Sequence, residues 1–316
     1  MRVLIVGAGS VGQLYGYCLQ RGGADVDVYV RPKYAAEAAA GFAIYERRRG
    51  LKDPASFVPD GVLTSPGDLI DEDYDVVLLC IPSTGLRGEW FGEFARNLGD
   101  ATLVSLSPAL KDRAFIAEHL PREEVGWGLI TSVSYPAPLP GEECPQPGTA
   151  YWFPPLAPAP FEGPAAPVDA LVAALKKGGM PCKRTADVAT KASFGSAVLM
   201  PIIAIMETRG WSFAEMRRDP DAMPQLHRVM QETLEGVELA IGEKRPLPSR
   251  LLGPFGLSAL TRVAGLVPPF DLEVYLKVHF TKVGDQTRLF LQDYIDQRLQ
   301  SGLDSPALQE LLHSLK

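Results

Sequence analysis

A doubly wound α/β sheet followed by an all-helical domain is the fold class this sequence predicts. Three observations carry that expectation. Strand-like and helix-like runs alternate over the first half of the 316 residues, a glycine-rich turn joins the first strand to the first helix, and past residue 186 only helical periodicity remains. At about 100–200 residues per domain the length suits two, with residues 1–180 as the sheet domain and 181–316 as the helical one.

Residues 2–6, Arg-Val-Leu-Ile-Val, form an apolar run that stops at glycine, as a buried parallel strand does. Residues 10–21 then carry Val11, Leu14, Tyr15, Cys18 and Leu19 at helical spacing, and Gly22-Gly23 ends them. Residues 25–30 alternate strictly as a second strand and close a βαβ unit. Further strands are predicted at 74–82, 101–108 and 126–134. Residues 136–167 hold 11 of the 28 prolines, which argues against a long helix or a central strand. That segment reads as an ordered loop over the first domain, or as a lid facing substrate. A short helix at 168–177 stops at Gly178-Gly179, and helices are predicted at 186–208, 221–243, 271–298 and 305–315.

Composition excludes several classes. Lysine plus arginine number 31 against 38 aspartates and glutamates, a net charge of −7, which argues against nucleic acid or an anionic membrane as the main partner. With 46% hydrophobic and 22% charged residues the chain can bury a sizeable core. The four cysteines, Cys18, Cys80, Cys144 and Cys182, lie far apart, and read as reduced thiols and not as a metal or disulfide framework. The apolar run before the first glycine is too short for a signal-peptide core, and the apolar stretch 194–206 falls short of the roughly 20 residues of a membrane span. The expectation is a cytoplasmic protein with a small-molecule partner and no metal; a homodimer is the usual prior.

Gly7-Ala8-Gly9-Ser10-Val11-Gly12 is G-x-G-x-x-G in the context that gives this pattern meaning: after a strand, opening a helix, with a second strand following. This is the Rossmann dinucleotide signature. The first glycine permits the tight turn, the second lets backbone approach a diphosphate, and the third lets helix pack on strand. The helix start adds unpaired N–H groups and about half a positive charge. After the second strand come Arg31, Pro32 and Lys33, where an NAD site would carry a carboxylate; Asp27 lies too early for that role. Two cations there suit the 2′-phosphate of NADP(H). The strand ends at Ile81-Pro82 and Ser107-Pro108 should line the rest of the coenzyme crevice. Arg47-Arg48-Arg49, in a segment resembling a hairpin, reads as a solvated turn or as an addition to the phosphate field.

On the run Gly7 to Leu14, with Arg31 at the matching spacing, the sequence resembles the ketopantoate reductases within the 6-phosphogluconate-dehydrogenase-like group. The stretch Asp293-Tyr294-Ile295 through Gly302-Leu303-Asp304-Ser305-Pro306 is similar to that family's closing helix and turn. The resemblance implies carbonyl reduction with Lys191, at the start of the helical domain, as general acid. Hydride arriving at a carbonyl carbon makes an alkoxide, and an ammonium on an apolar helix can protonate it.

Departures from the family are equally plain. Gly195 and Leu199 stand where it has substrate-binding asparagines, Ser107-Pro108 where it has Asn-Gly, Pro82 where it has a lysine, and Gln286 where it has a carboxylate. Losing groups that would grip a hydroxyl and a carboxylate argues against ketopantoate itself as substrate. Tyr275, His279, Lys282 and Gln286, at spacings of 4, 3 and 4 along one predicted helix, could form a replacement substrate wall, or a solvated face. The leading expectation is an NADP(H)-dependent oxidoreductase reducing a ketone or 2-oxo-acid-like carbonyl. The alternatives are a non-catalytic NADP(H)-binding sensor or assembly protein, and an enzyme of opine-type reductive condensation.

Overall fold

A computed structural model describes residues 1–107, 109–250 and 253–315. Its compact units are Met1–Ala189 and Thr190–Lys316. The first contains strands β1 (Arg2–Val6), β2 (Asp25–Tyr29), β3 (Phe42–Glu46), β4 (Ala55–Phe57), β5 (Gly61–Leu63), β6 (Val76–Leu79), β7 (Thr102–Ser105), β8 (Val125–Gly128), β9 (Val133–Ala137), β10 (Gly148–Trp152), β11 (Ala159–Glu162) and β12 (Cys182–Arg184). Between them run α1 (Ser10–Gly22), α2 (Ala35–Ala40), α3 (Ser83–Leu86), α4 (Trp90–Arg96), α5 (Leu110–Ala117) and α6 (Ala165–Lys177). The helical unit carries α7 (Val188–Thr208), which begins at the boundary, then α8 (Phe213–Arg218), α9 (Ala222–Ile241), α10 (Leu247–Arg250), α11 (Pro254–Val263), α12 (Leu272–Lys282), α13 (Gly284–Gln300) and α14 (Pro306–Ser314).

The main sheet has the order β12-β11-β8-β7-β6-β1-β2-β5. From β5 to β8 every pairing is parallel, with Val3 opposite both Val26 and Val76. Strand order reverses between β1 and β6, and a ligand crevice in such sheets lies outside the carboxyl ends of the strands at that point. The expected sheet is therefore present. Val3, Leu4, Ile5, Val76, Val77 and Leu78 are fully buried, each contributing about 1.5–3 kcal/mol relative to exposure. The boundary between units falls nine residues beyond the expected one at 180/181, because β12 pairs with β11 and draws residues 182–184 into the sheet.

The proline-rich segment is corrected more deeply. It is not loop throughout: irregular stretches alternate with strands, since the end of β9 and β10 join β3 and β4 in a second sheet of order β4-β3-β10-β9, and β11 enters the main one. Pro136 is tolerated because β9 is an edge strand. The single strand expected at 126–134 is two, β8 and β9, in different sheets. The hairpin expected around 41–50 is one strand plus a 3₁₀ turn at Arg47–Arg49, with its antiparallel partner β4 further on. Arg47 is not solvated: it pairs with Glu142 at 3.2 Å, whose other oxygen accepts the Leu139 N–H at 3.0 Å.

Helix α1 is the shared wall of this unit. Gly178 after α6 lies so close that a Cβ there would stand 1.7 Å from the Cys18 carbonyl oxygen. Gln13 of α1 accepts from Thr149 of β10 at 2.6 Å and donates to the Ala8 carbonyl at 2.8 Å, tying the second sheet to the glycine turn. All four cysteines are free thiols.

In the helical unit, residues 190–208 of α7 are long and apolar enough to cross a membrane, yet Phe194, Ala197, Ile203, Ala204, Ile205 and Met206 are core residues of the unit. Buried Arg298 on α13 donates to Glu235 at 2.6 Å and to the Asp304 carbonyl at 2.8 Å, while Glu232 of α9 accepts the first amides of α14. The long helix expected at 271–298 is broken at Val283 (φ −115°, ψ 27°), where a β-branched residue and a glycine adjoin. Gly178→Ala should cost about 1–3 kcal/mol by forcing α1 from its seat; a urea unfolding midpoint equal to wild type would refute the close contact.

Candidate active site

The three glycines of the turn sit in different surroundings. Gly7 has φ +94°, a left-handed conformation that a side chain would strain, and its N–H donates to the Tyr29 carbonyl at 2.9 Å. A Cβ on Gly12 would lie 2.0 Å from the Gly7 carbonyl oxygen, so only glycine lets α1 start this close to β1. Gly9 is the N-cap of α1, exposed, and a Cβ on it would meet nothing within 4 Å. The first intrahelical bond is Gln13 N–H to Gly9 carbonyl at 2.9 Å, which leaves the amides of Ser10, Val11 and Gly12 ahead of it. Open space beside Gly9 and a helix start facing it are what a diphosphate needs. A dinucleotide fits.

Arg31 and Lys33 follow β2, one strand over, and both are exposed. Both charged ends lie over one ring: the Arg31 guanidinium carbon is 5.1 Å, and the Lys33 Nζ 4.8 Å, from the Tyr34 ring centre. Tyr34 was invisible to motif reading, although an aromatic beside two cations is itself a signal. Among the described residues neither cation pairs with a carboxylate. Asp27 is buried and engaged by Arg2 Nη2 at 2.6 Å and the Tyr74 hydroxyl at 2.8 Å, so it is not a ribose ligand.

At the β6 end, Ile81 packs on the turn, its Cγ2 standing 2.6 Å from where a Gly7 Cβ would be. Pro82 is the N-cap of α3. Ser107 donates to Asp112 Oδ2 at 2.7 Å and is not a bare strand-end hydroxyl. Pro108 lies outside the described residues. Asp112, Ser83 and Arg87, which join Ser107 in one cluster, had no signal in the local pattern beyond an acid in a helix's first turn.

In the helical unit, Lys191 is exposed in the first turn of α7, and Gly195 and Leu199, four and eight residues on, are exposed along the same face. A Cβ on Gly195 would meet nothing within 4 Å. Of the expected wall, Tyr275 and His279 stack with ring centres 5.5 Å apart, and Lys282 ends the same helix, exposed. Both rings are half-buried. Burial pushes the Tyr275 hydroxyl up to about 12, and burial with the nearby Lys282 ammonium lowers the His279 imidazole. Gln286 lies past the break at Val283, on α13.

With the geometry in hand, the chain can be set beside known proteins. Residues 3–138 match the family model described as ketopantoate reductase PanE/ApbA. No curated protein matches. Solved structures of the same fold include D-mandelate dehydrogenase in ternary complex with NADH and anilino(oxo)acetate (13% identity, TM-score 0.75, 100% of this chain and 97% of that one). They also include 2-dehydropantoate 2-reductase from Geobacter metallireducens GS-15 (17%, 0.73, 100% and 99%). A PanE/ApbA family ketopantoate reductase from Ralstonia eutropha JMP134 is similar too (20%, 0.72, 100% and 97%). The resemblance read from Gly7 to Leu14 is thereby borne out.

The glycines give a paired test. Gly12→Ala should destabilise the fold and abolish dinucleotide binding, whereas Gly9→Ala should unfold like wild type and bind dinucleotide at least about tenfold more weakly. Calorimetric titration alongside thermal unfolding reads both, and equal behaviour of the two variants contradicts the assigned roles.

Proposed function

We propose, from a ketopantoate reductase domain over residues 3–138 and the geometry at the ends of β1 and β2, that the chain is an NADP(H)-dependent oxidoreductase reducing a ketone or 2-oxo-acid-like carbonyl. The observation carrying this reading is a juxtaposition. The Gly7 N–H bonds to Tyr29, so the anion-receptive start of α1 adjoins the strand end that leads into Arg31 and Lys33. Amides of residues 10–12 would hold the diphosphate, and Arg31 and Lys33 the 2′-phosphate by charge-assisted hydrogen bonds.

When bound, the coenzyme supplies a hydride to the carbonyl carbon. The chain's part is to protonate the oxygen, for which the Lys191 ammonium is the proposed donor. Tyr275, His279 and Lys282 are the proposed substrate-facing groups; with its imidazole lowered, His279 would offer a neutral ring to the substrate. The family's asparagine positions hold Gly195 and Leu199, which cannot replace the lost polar grip, so the substrate differs from ketopantoate in its hydroxyl or carboxylate surroundings.

Two measurements test the reading. Arg31→Ala should weaken NADPH about ten- to a hundredfold while NADH affinity stays within about threefold; equal losses, or no loss, remove the 2′-phosphate assignment. Against a panel of carbonyl compounds, Lys191→Ala should lower turnover about 10²–10⁴-fold with coenzyme affinity unchanged. Wild-type turnover by that variant eliminates the lysine. Tight NADPH binding with no oxidation over the panel favours a sensor or assembly role, and oxidation that requires an added amine favours reductive condensation.

A further inference from the structure

We propose that Asp112 is a positioning residue of the coenzyme site, the buried carboxylate that sets the segments following β6 and β7. This rests on the coenzyme reading above. Asp112 stands in the first turn of α5 and is 0% exposed. Three side chains from two other segments converge on it. The Ser107 hydroxyl, two residues past β7, donates to Oδ2 at 2.7 Å, and the Ser83 hydroxyl, at the start of α3, donates to the same oxygen. Arg87, just past α3, donates through Nη2 to Oδ1 at 2.7 Å. The two hydroxyl oxygens are 3.1 Å apart.

Removing a carboxylate from water is costly, and apolar packing in such a place often serves stability as well or better. What this cluster provides is geometry. It joins the residue after Pro82 to the residue at the β7 end, and these are the segments beside the reversal of strand order, where Ile81 already abuts Gly7. A carboxylate accepting from both loops fixes their separation, and its acceptor-only character forces both hydroxyl protons inward. Asp112 touches no ligand in this reading; it acts through Ser83 and Ser107. Its influence should fall on the coenzyme portion beyond the adenosine, since Arg31 and Lys33 lie on the other side of β1.

Asp112→Asn keeps the shape and removes the charge. Binding of NADPH and of adenosine 2′,5′-bisphosphate, which carries the adenosine half alone, separates positioning from general damage. NADPH should bind about tenfold more weakly and the bisphosphate within about twofold of wild type. Ser107→Ala, which leaves the Arg87 pair in place, should show the same split at about threefold, and it decides the matter if Asp112→Asn fails to fold. Parallel losses for both probes, or none for either, overturn the positioning role. A wild-type chain that binds neither NADPH nor NADH sinks the coenzyme reading with it; one that binds coenzyme while the variants show no split sinks the positioning role alone. Should NADH be the coenzyme bound, NADH and 5′-ADP are the probe pair.

Discussion

How closely α1 approaches the end of β1 governs what is built above it. With only a hydrogen at Gly12 facing the Gly7 carbonyl, the helix begins level with the sheet's edge, and its first amides open onto the space beside Gly9. The same helix is held on two further flanks, by the Gly178 contact with Cys18 and by the Thr149–Gln13–Ala8 hydrogen-bond chain. A helix fixed on three sides presents its amides in one orientation, which lowers the ordering cost of binding an anion there.

β1, β6 and β7 were legible because each buries one continuous run, and α1 and β2 because their apolar residues recur at helical and strand spacing; local sequence then reports tertiary position. It failed between 133 and 162 for a physical reason. A proline excludes a strand only where its missing N–H is needed, and β9 has an edge on which none is needed. The partners of β10 are also remote, Thr149 lying opposite Ile44 across the sheet, so no local pattern announces the second sheet. At Val283 the signal was present and weak: valine and glycine in tandem are both poor helix formers, but the flanking amphipathic residues read straight through them.

The site divides in the same way. The turn at Gly7, Gly9 and Gly12 was legible since its spacing dictates how closely helix can approach strand, and the place of Arg31 and Lys33 just past β2 since a strand end can be read from local pattern; their part in binding coenzyme is the proposal. Asp112 was not. An acid three residues into a helix is an ordinary dipole partner, and only the fold reveals that two hydroxyls and a guanidinium from elsewhere close over it. Tyr275, His279 and Lys282 share α12 while Gln286 falls on α13, and helical spacing predicts a face only as far as the helix continues.

Charge is handled in opposite ways at the two ends of the proposed coenzyme site, and the contrast has a physical logic. A carboxylate that sets geometry must be satisfied by the protein, or its desolvation would unfold the segment; Asp112 has three donors and no exposure. Cations that capture a ligand must be left unsatisfied by the protein, or the ligand would have to displace a partner; among the described residues Arg31 and Lys33 meet no carboxylate in a chain of net charge −7. Leaving them without a carboxylate carries its own penalties, mutual repulsion and long mobile side chains. The Tyr34 ring offsets the second of these, since its negative faces attract both cations and hold them near the strand end. Because all three groups are exposed, their pull on a phosphate is screened by salt, whereas the buried Asp112 cluster is screened far less. In the proposed site, recognition of an extra phosphate would therefore depend on the ionic medium, while the geometry set by the Asp112 cluster would not.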